Sequence, residues 1–273
     1  MKTWIKLVLQ LAVPVVILII LFKLGLWYGL AGVAVVAGII IYWLRGNYYV
    51  LQANIRYGKK DLRGALDYYG RAYKANRNSG FAISQAFVLL KLGEIEQAEK
   101  LLSQIMQRKM SRNNEMTAKI NYSIALWKLG KHAEAVAMLE EILPTFKNSI
   151  VYGNLGLYYL MMNDLDKALE FNLEAYEYTD SDKTILDNLG FNYYLLGRYS
   201  EAKEIYEKLM LLNPAFPEAY YYYALTLSEL GDQASALKLM EQGLSYEPSM
   251  ITTLTRDMIE EKLEEWRGIP LPE

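Results

Sequence analysis

KDLRGA (60–65), GEIEQA (93–98), GKHAEA (130–135), NDLDKA (163–168), GRYSEA (197–202) and GDQASA (231–236) are one phrase written six times. Its closing alanines, Ala65, Ala98, Ala135, Ala168, Ala202 and Ala236, follow one another at intervals of 33, 37, 33, 34 and 34 residues. A period near 34 in a sequence of helical character marks stacked helix–turn–helix units, each too small to bury its apolar face alone. The predicted fold is therefore all-α: a solenoid of about six helical pairs over residues 46–250, sharing one continuous core.

Other positions keep the same register. Seven residues before the start of the turn stand Ala53, Ala86, Ser123, Gly156, Gly190 and Ala224, small enough to let two helices close together. Three residues further on come Leu89, Leu126, Tyr159, Tyr193 and Leu227, with Arg56 departing from the pattern in the first unit. Four residues past the closing alanine stand Tyr69, Leu102, Leu139, Tyr206 and Met240, with Asn172 as the exception. Pro214 and Pro248 end units, where proline stops a helix before the next begins. In these positions the chain resembles the tetratricopeptide repeat (TPR) family. The resemblance implies a right-handed α-solenoid that binds peptides or helices of partner proteins on the surface lined by the first helix of each unit.

The interval of 37 places an insertion in QRKMSRNNE (107–115), expected as a polar, mobile loop or a bend. Residues 251–273 read as a terminal cap and tail. Leu254, Met258, Leu263 and Trp266 mark the buried side of the cap, and GIPLPE is expected to be disordered.

Residues 1–45 are of another kind. Two apolar runs, 4–22 and 26–44, are separated by Lys23, Leu24 and Gly25, and no Asp or Glu precedes Asp61. Each run is about 28 Å long as helix, close to the roughly 30 Å hydrocarbon core, which predicts a transmembrane hairpin. Trp4, Trp27, Tyr28, Tyr42 and Trp43 fall near the ends of the runs, where amphipathic rings prefer the headgroup level. Lys2 and Lys6 precede the first run, and Arg45, Arg56, Lys59, Lys60 and Arg63 follow the second. This bias places the repeats on the cytoplasmic side of a multi-pass membrane protein. A cleaved signal peptide, a single span with a surface-lying second segment, and a hairpin buried in a larger complex are the other readings of these residues. Gly25, Gly29 and Gly32 suit close helix approach, within the hairpin or between copies in a homo-oligomer.

Composition excludes much. There is no cysteine and one histidine, which removes disulfide frameworks, thiol nucleophiles and Cys- or His-based metal sites. His132 lies in an inter-helix turn and reads as a surface or packing residue. No phosphate-binding, dinucleotide-binding or zinc-protease motif occurs. The expectation is no enzyme, no cofactor and no metal, and the mildly acidic pI near 5.7 argues against nucleic acid. Charge is uneven. Residues 46–112 hold 12 Lys/Arg against 5 Asp/Glu, while 113–273 hold 13 against 26, which suits a basic half standing on an anionic membrane surface.

Carrying over the family's groove positions gives Asn54 and Tyr57; Ile83, Phe87 and Leu90; Ile120, Ile124 and Trp127; Leu157 and Leu160; Asp187, Phe191 and Tyr194; Tyr221 and Leu225. Of the run 220–223, the resemblance implies that Tyr220 and Tyr223 pack between helices and Tyr221 faces the groove. Such an apolar lining is expected to hold a peptide or amphipathic helix, unless the inner face is closed or filled by the C-terminal helix. The family's clamp for a chaperone's C-terminal carboxylate is not made here: Asn54 matches one of its places, but Val50 stands where its lysine belongs. The chain is also similar to bacterial inner-membrane proteins of this repeat class. The expected role is a membrane-anchored adaptor; a self-assembling structural protein or an accessory subunit of a membrane enzyme or transporter are the alternatives.

Overall fold

The computed structural model describes residues 2–268, with the backbone alone for residues 2–11 and Trp43. The side chains of Lys2, Trp4, Lys6 and Trp43, and residues 269–273 of the tail expected to be disordered, therefore lie outside the described residues. Fourteen α-helices and no strand occur among those described. They form two compact units, one up to Val88 and one from Leu89.

The first unit begins with α1 (Lys2–Leu24) and α2 (Leu26–Gly58), a helical hairpin turned at Gly25. The two helices approach closely where α2 lacks side chains. A Cβ on Gly29 would lie 2.2 Å from the Phe22 ring, and one on Gly32 would lie 2.5 Å from Leu21 Cδ1. These glycines are thus used inside the chain, whereas Gly38 has open space beside it. No single helix among the described residues is long and apolar enough to cross a membrane. The two parts of α2, Leu26–Tyr42 and Leu44–Gly58, meet that requirement together and are set 45° apart.

The sequence boundary at residue 45 falls inside α2, which runs on into the first helix of the first repeat. Hydropathy changes there, but the only helix-weakening residue is Gly46, and the Asn76 side chain covers it. Beyond the turn, α3 (Leu62–Asn76) is capped by Asp61, whose carboxylate accepts from the Gly64 N–H at 2.9 Å and pairs with Arg56 at 2.7 Å. α4 (Ser79–Lys91) follows.

In the second unit the helices run as α5 (Ile95–Met106), α6 (Arg112–Lys128), α7 (His132–Ile142), α8 (Ser149–Met161), α9 (Leu165–Tyr178), α10 (Lys183–Leu195), α11 (Tyr199–Leu211), α12 (Pro217–Glu229), α13 (Gln233–Gly243) and α14 (Arg256–Arg267). The insertion is only partly a loop. Ser111 accepts from the Asn114 N–H and starts α6, so residues 112–115 become an added helical turn.

The recurring phrase has one physical meaning in all six copies. Its first residue adopts the left-handed conformation that ends a helix: Lys60 (φ 61°), Gly93 (74°), Gly130 (77°), Asn163 (61°), Gly197 (71°) and Gly231 (85°). The next residue is the N-cap of the following helix, and Asp61, Asp164 and Asp232 there accept backbone N–H groups directly. The closing alanine is fully buried every time.

At the C-terminal end, Ile259, Leu263 and Trp266 of α14 are buried with Tyr220, Leu227 and Met240. Met258, expected on that face, is exposed instead. The helix starts after the Thr255 cap, so the buried stripe runs 259, 263, 266, and residue 258 points about 100° away. Leu254 is buried ahead of the helix, in the extended strap that follows α13.

Candidate partner-binding groove

In the first unit, Asn54 is exposed and accepts a hydrogen bond from the Tyr69 hydroxyl of α3. Tyr57 and Phe87 are half-buried, their ring centroids 6.3 Å apart, and Ile83 is buried.

In the second unit, Leu90, Ile120, Ile124, Trp127 and Leu160 are all buried. The open lining expected at Ile83, Leu90, Ile120, Ile124 and Trp127 is therefore closed. Trp127, 5% exposed, stacks on Tyr158 with centroids 4.2 Å apart and planes 2° from parallel, and also against His132 at 4.2 Å. His132 is thus a packing partner in its turn. Trp127 of α6 is covered by Tyr158 of α8, the first helix of the next unit.

The remaining positions, Leu157, Asp187, Phe191, Tyr194, Tyr221 and Leu225, are half-buried. Four of the predicted residues meet: Leu157, Leu160, Asp187 and Phe191 line one cavity of about 390 Å³. It lies across the first helices of three units, α8, α10 and α12, and the strap contributes Ser249, Thr252 and Thr253. That volume falls within the range of ligand pockets.

Tyr194, Tyr221 and Leu225 do not line it; they pack against the cluster around α12, α13 and α14. Burial pushes the Tyr221 phenol up, and Lys262 and Glu265 of α14 lie close enough to act on it with opposite signs. The C-terminal helix therefore occupies this part of the surface. Tyr220 and Tyr223 are buried as expected.

Sequence reasoning missed Glu218 and Tyr222, together with Thr184, Asn188, Met161 and Phe216. Thr184 and Asn188 stand 34 residues before Glu218 and Tyr222, so the four form a second stripe, one residue round the helix from the carried-over one. The repeat period could have found them once one stripe member was known to face the cavity.

Two carboxyl groups dominate the electrostatics. Glu218 is 4% exposed; its Oε1 accepts from the Ser249 N–H at 2.8 Å, and its Oε2 is buried with no donor. Asp187 Oδ1 is likewise buried without a donor. Burial first, and then the Glu218 charge, hold the Asp187 carboxyl well above its ordinary value. Burial also raises the Tyr222 phenol, with Asp187 as the next cause. The Tyr222 ring stacks on Phe191 with centroids 3.8 Å apart and planes 24° from parallel, forming an aromatic wall. No group of three or more His, Cys, Asp or Glu side chains among the described residues is placed to hold a metal ion. The arrangement offers a shaped, partly apolar, anionic recess.

Two family profiles, both described as tetratricopeptide repeat, match residues 123–182 and 193–250. A tetratricopeptide repeat protein from Parabacteroides merdae aligns over 82% of this chain and 85% of its own with a TM-score of 0.67 at 14% identity. A solved structure of Pseudomonas aeruginosa pilF aligns over 72% of this chain and 90% of its own with a TM-score of 0.58 at 16% identity. In sequence, the chain is 26% identical over 200 residues to the lipoprotein NlpI homolog of Haemophilus influenzae and 24% identical over 215 residues to Hsp70-Hsp90 organizing protein 3 of Arabidopsis thaliana. Those matches cover 67% and 75% of this chain but only 56% and 37% of the relatives' own lengths. Residues 123–182 and 193–250 are thus similar to tetratricopeptide repeats, and the solenoid shares the fold of the two solved structures.

Proposed function

We propose that this chain is a membrane-held adaptor that receives a peptide or helical segment of a partner protein in the recess between α8, α10 and α12. The observation that carries the reading is the cavity itself: apolar side chains, an aromatic wall and two acidic side chains without a basic partner converge there from three repeats. Packed interiors rarely leave such a space between well-made repeats. Binding and placement are the proposed activity of this recess.

Membrane attachment is part of the proposal. It is supported by the outer faces of α1 and α2, where Val15, Ile19, Trp27, Val35 and Ile41 stand more than half exposed, Trp27 at 80%. In water each would forfeit at least about half of the roughly 1.5–3 kcal/mol that full burial gives, which hydrocarbon supplies. The Haemophilus relative is named a lipoprotein, which also fits a role at a membrane. The Lys/Arg bias supports a cytoplasmic repeat domain at a bacterial plasma membrane. An anchor confines the recess to two dimensions and raises the effective concentration of clients on the same surface.

Photo-crosslinking in cells tests the groove. A benzophenone side chain at Tyr222, on the cavity wall, should give discrete adducts with a partner; the same probe at Tyr178, exposed outside the cavity, should not. Equal adducts at both sites, or none at Tyr222, would reject it. Membrane attachment fails separately if the full chain washes off membranes in alkaline carbonate.

A further inference from the structure

The recess carries more information than its shape. Two acidic side chains from successive repeats line it, and each keeps a buried oxygen that no donor satisfies. Among the described residues no Lys or Arg pairs with either: Glu218 is held only by the Ser249 N–H, and Asp187 takes part in no ion pair. Burying an uncompensated carboxylate is costly, and the cost is relieved by a proton or by a cation. The second feature is the wall formed by Phe191 stacked on Tyr222, a flat π surface beside the acids.

We infer that the recess is a receptor for an arginine side chain of the partner segment, its guanidinium held by Glu218 and Asp187 and lying against the Phe191–Tyr222 wall. This deepens the adaptor reading and rests on it. Guanidinium is planar, carries donors in a fork that suits carboxylates, stacks on aromatic faces and is weakly hydrated. An ammonium is a compact, strongly hydrated charge that gains less from a flat wall and loses more on entering a closed space. Burial, and then the Glu218 charge, favour the protonated Asp187 carboxyl in the empty recess, and an arriving cation favours loss of that proton. Binding is then accompanied by proton release, which a merely structural pair of acids would not show.

The test uses the purified full chain in lipid nanodiscs. Titration calorimetry is run with the peptide acetyl-Ala-Leu-Arg-Leu-Ala-amide and its lysine and citrulline counterparts, in two buffers of different ionisation enthalpy. The arginine peptide should bind at least tenfold more tightly than the citrulline peptide, about five times more tightly than the lysine peptide, and with a buffer-dependent heat. Glu218→Gln keeps an acceptor for the Ser249 N–H, and Asp187→Asn keeps the shape; each should erase the preference for arginine over citrulline while the helical circular dichroism is unchanged. Equal binding of the arginine and citrulline peptides, no arginine binding at millimolar concentration, or a preference that survives both substitutions would overturn the assignment. If crosslinking at Tyr222 persists when the arginine peptide fails, the charge assignment is wrong and the groove stands; loss of both ends both.

Discussion

The ring of Tyr206 occupies the space that Gly190 leaves by having no side chain. A Cβ on Gly190 would lie 2.8 Å from Tyr206 Cε2 and Cζ, and Tyr206 is fully buried. This contact joins α10 to α11 within one repeat. Gly190→Ala should cost about 1–3 kcal/mol through forced displacement of the ring, read as a lower urea midpoint with an unchanged slope. An unchanged midpoint would show that the two helices can part freely.

Trp127 is a packing residue, sandwiched between Tyr158 and His132. Trp127→Ala should lower stability by about 3–5 kcal/mol, as a cavity-forming core substitution. Phe191→Ala, at a half-buried position on the cavity wall, should cost less than half of that. Thermal unfolding followed by circular dichroism separates them; similar losses for both would mean that Phe191 belongs to the core rather than to the recess.

Asp187 predicts a pH dependence of defined sign. Its folded-state carboxyl is held above the ordinary value by burial and by Glu218, so the folded chain binds a proton that the unfolded chain releases. The stabilisation this gives is complete below the unfolded value near 3.8 and is lost as pH rises through the folded one. Asp187→Asn should therefore raise the melting temperature at pH 7 by at least about 2–4 °C, the shift that ~1 kcal/mol produces in a domain of this size. The gain should shrink toward pH 4. A variant that melts lower than its parent at pH 7 would contradict this.

Tyr122 predicts the alkaline limb. Burial and its 2.8 Å hydrogen bond to Glu99 push its phenol up to about 12. An unfolded tyrosine ionises near 10, so this contribution is intact below pH 10 and is lost between pH 10 and about 12. Tyr122→Phe should flatten the fall in urea midpoint across that window, and a fall as steep as the parent's would refute it.

The repeats were legible because each copy of the phrase does the same local work. Lys60, Asn163 and four glycines turn the chain through the left-handed region, a cap position follows, and an alanine buries fully. Backbone requirements of this kind are short-range, and sequence states them directly. Asn172 broke the apolar pattern for a long-range reason: it is fully buried and donates to Asn192 Oδ1 at 3.1 Å, across to the next repeat.

The site was half legible. Asp187, Phe191, Leu157 and Leu160 were reached by carrying over one stripe, whereas Glu218 and Tyr222 belong to its neighbour and face the cavity only because α10 and α12 lie side by side. The burial of Trp127 was likewise invisible, since Tyr158 is its partner from another unit. The strap residues Ser249 and Thr252 follow no repeat pattern at all.

The proposed function requires that a partner enter the recess between α8, α10 and α12. Leu157 lines it without being buried in the core, so Leu157→Trp fills the space and spares the packing. The yield of the Tyr222 photo-adduct should drop at least tenfold in that variant with helicity and melting temperature unchanged. An undiminished adduct yield from a recess already filled by tryptophan would contradict the central claim.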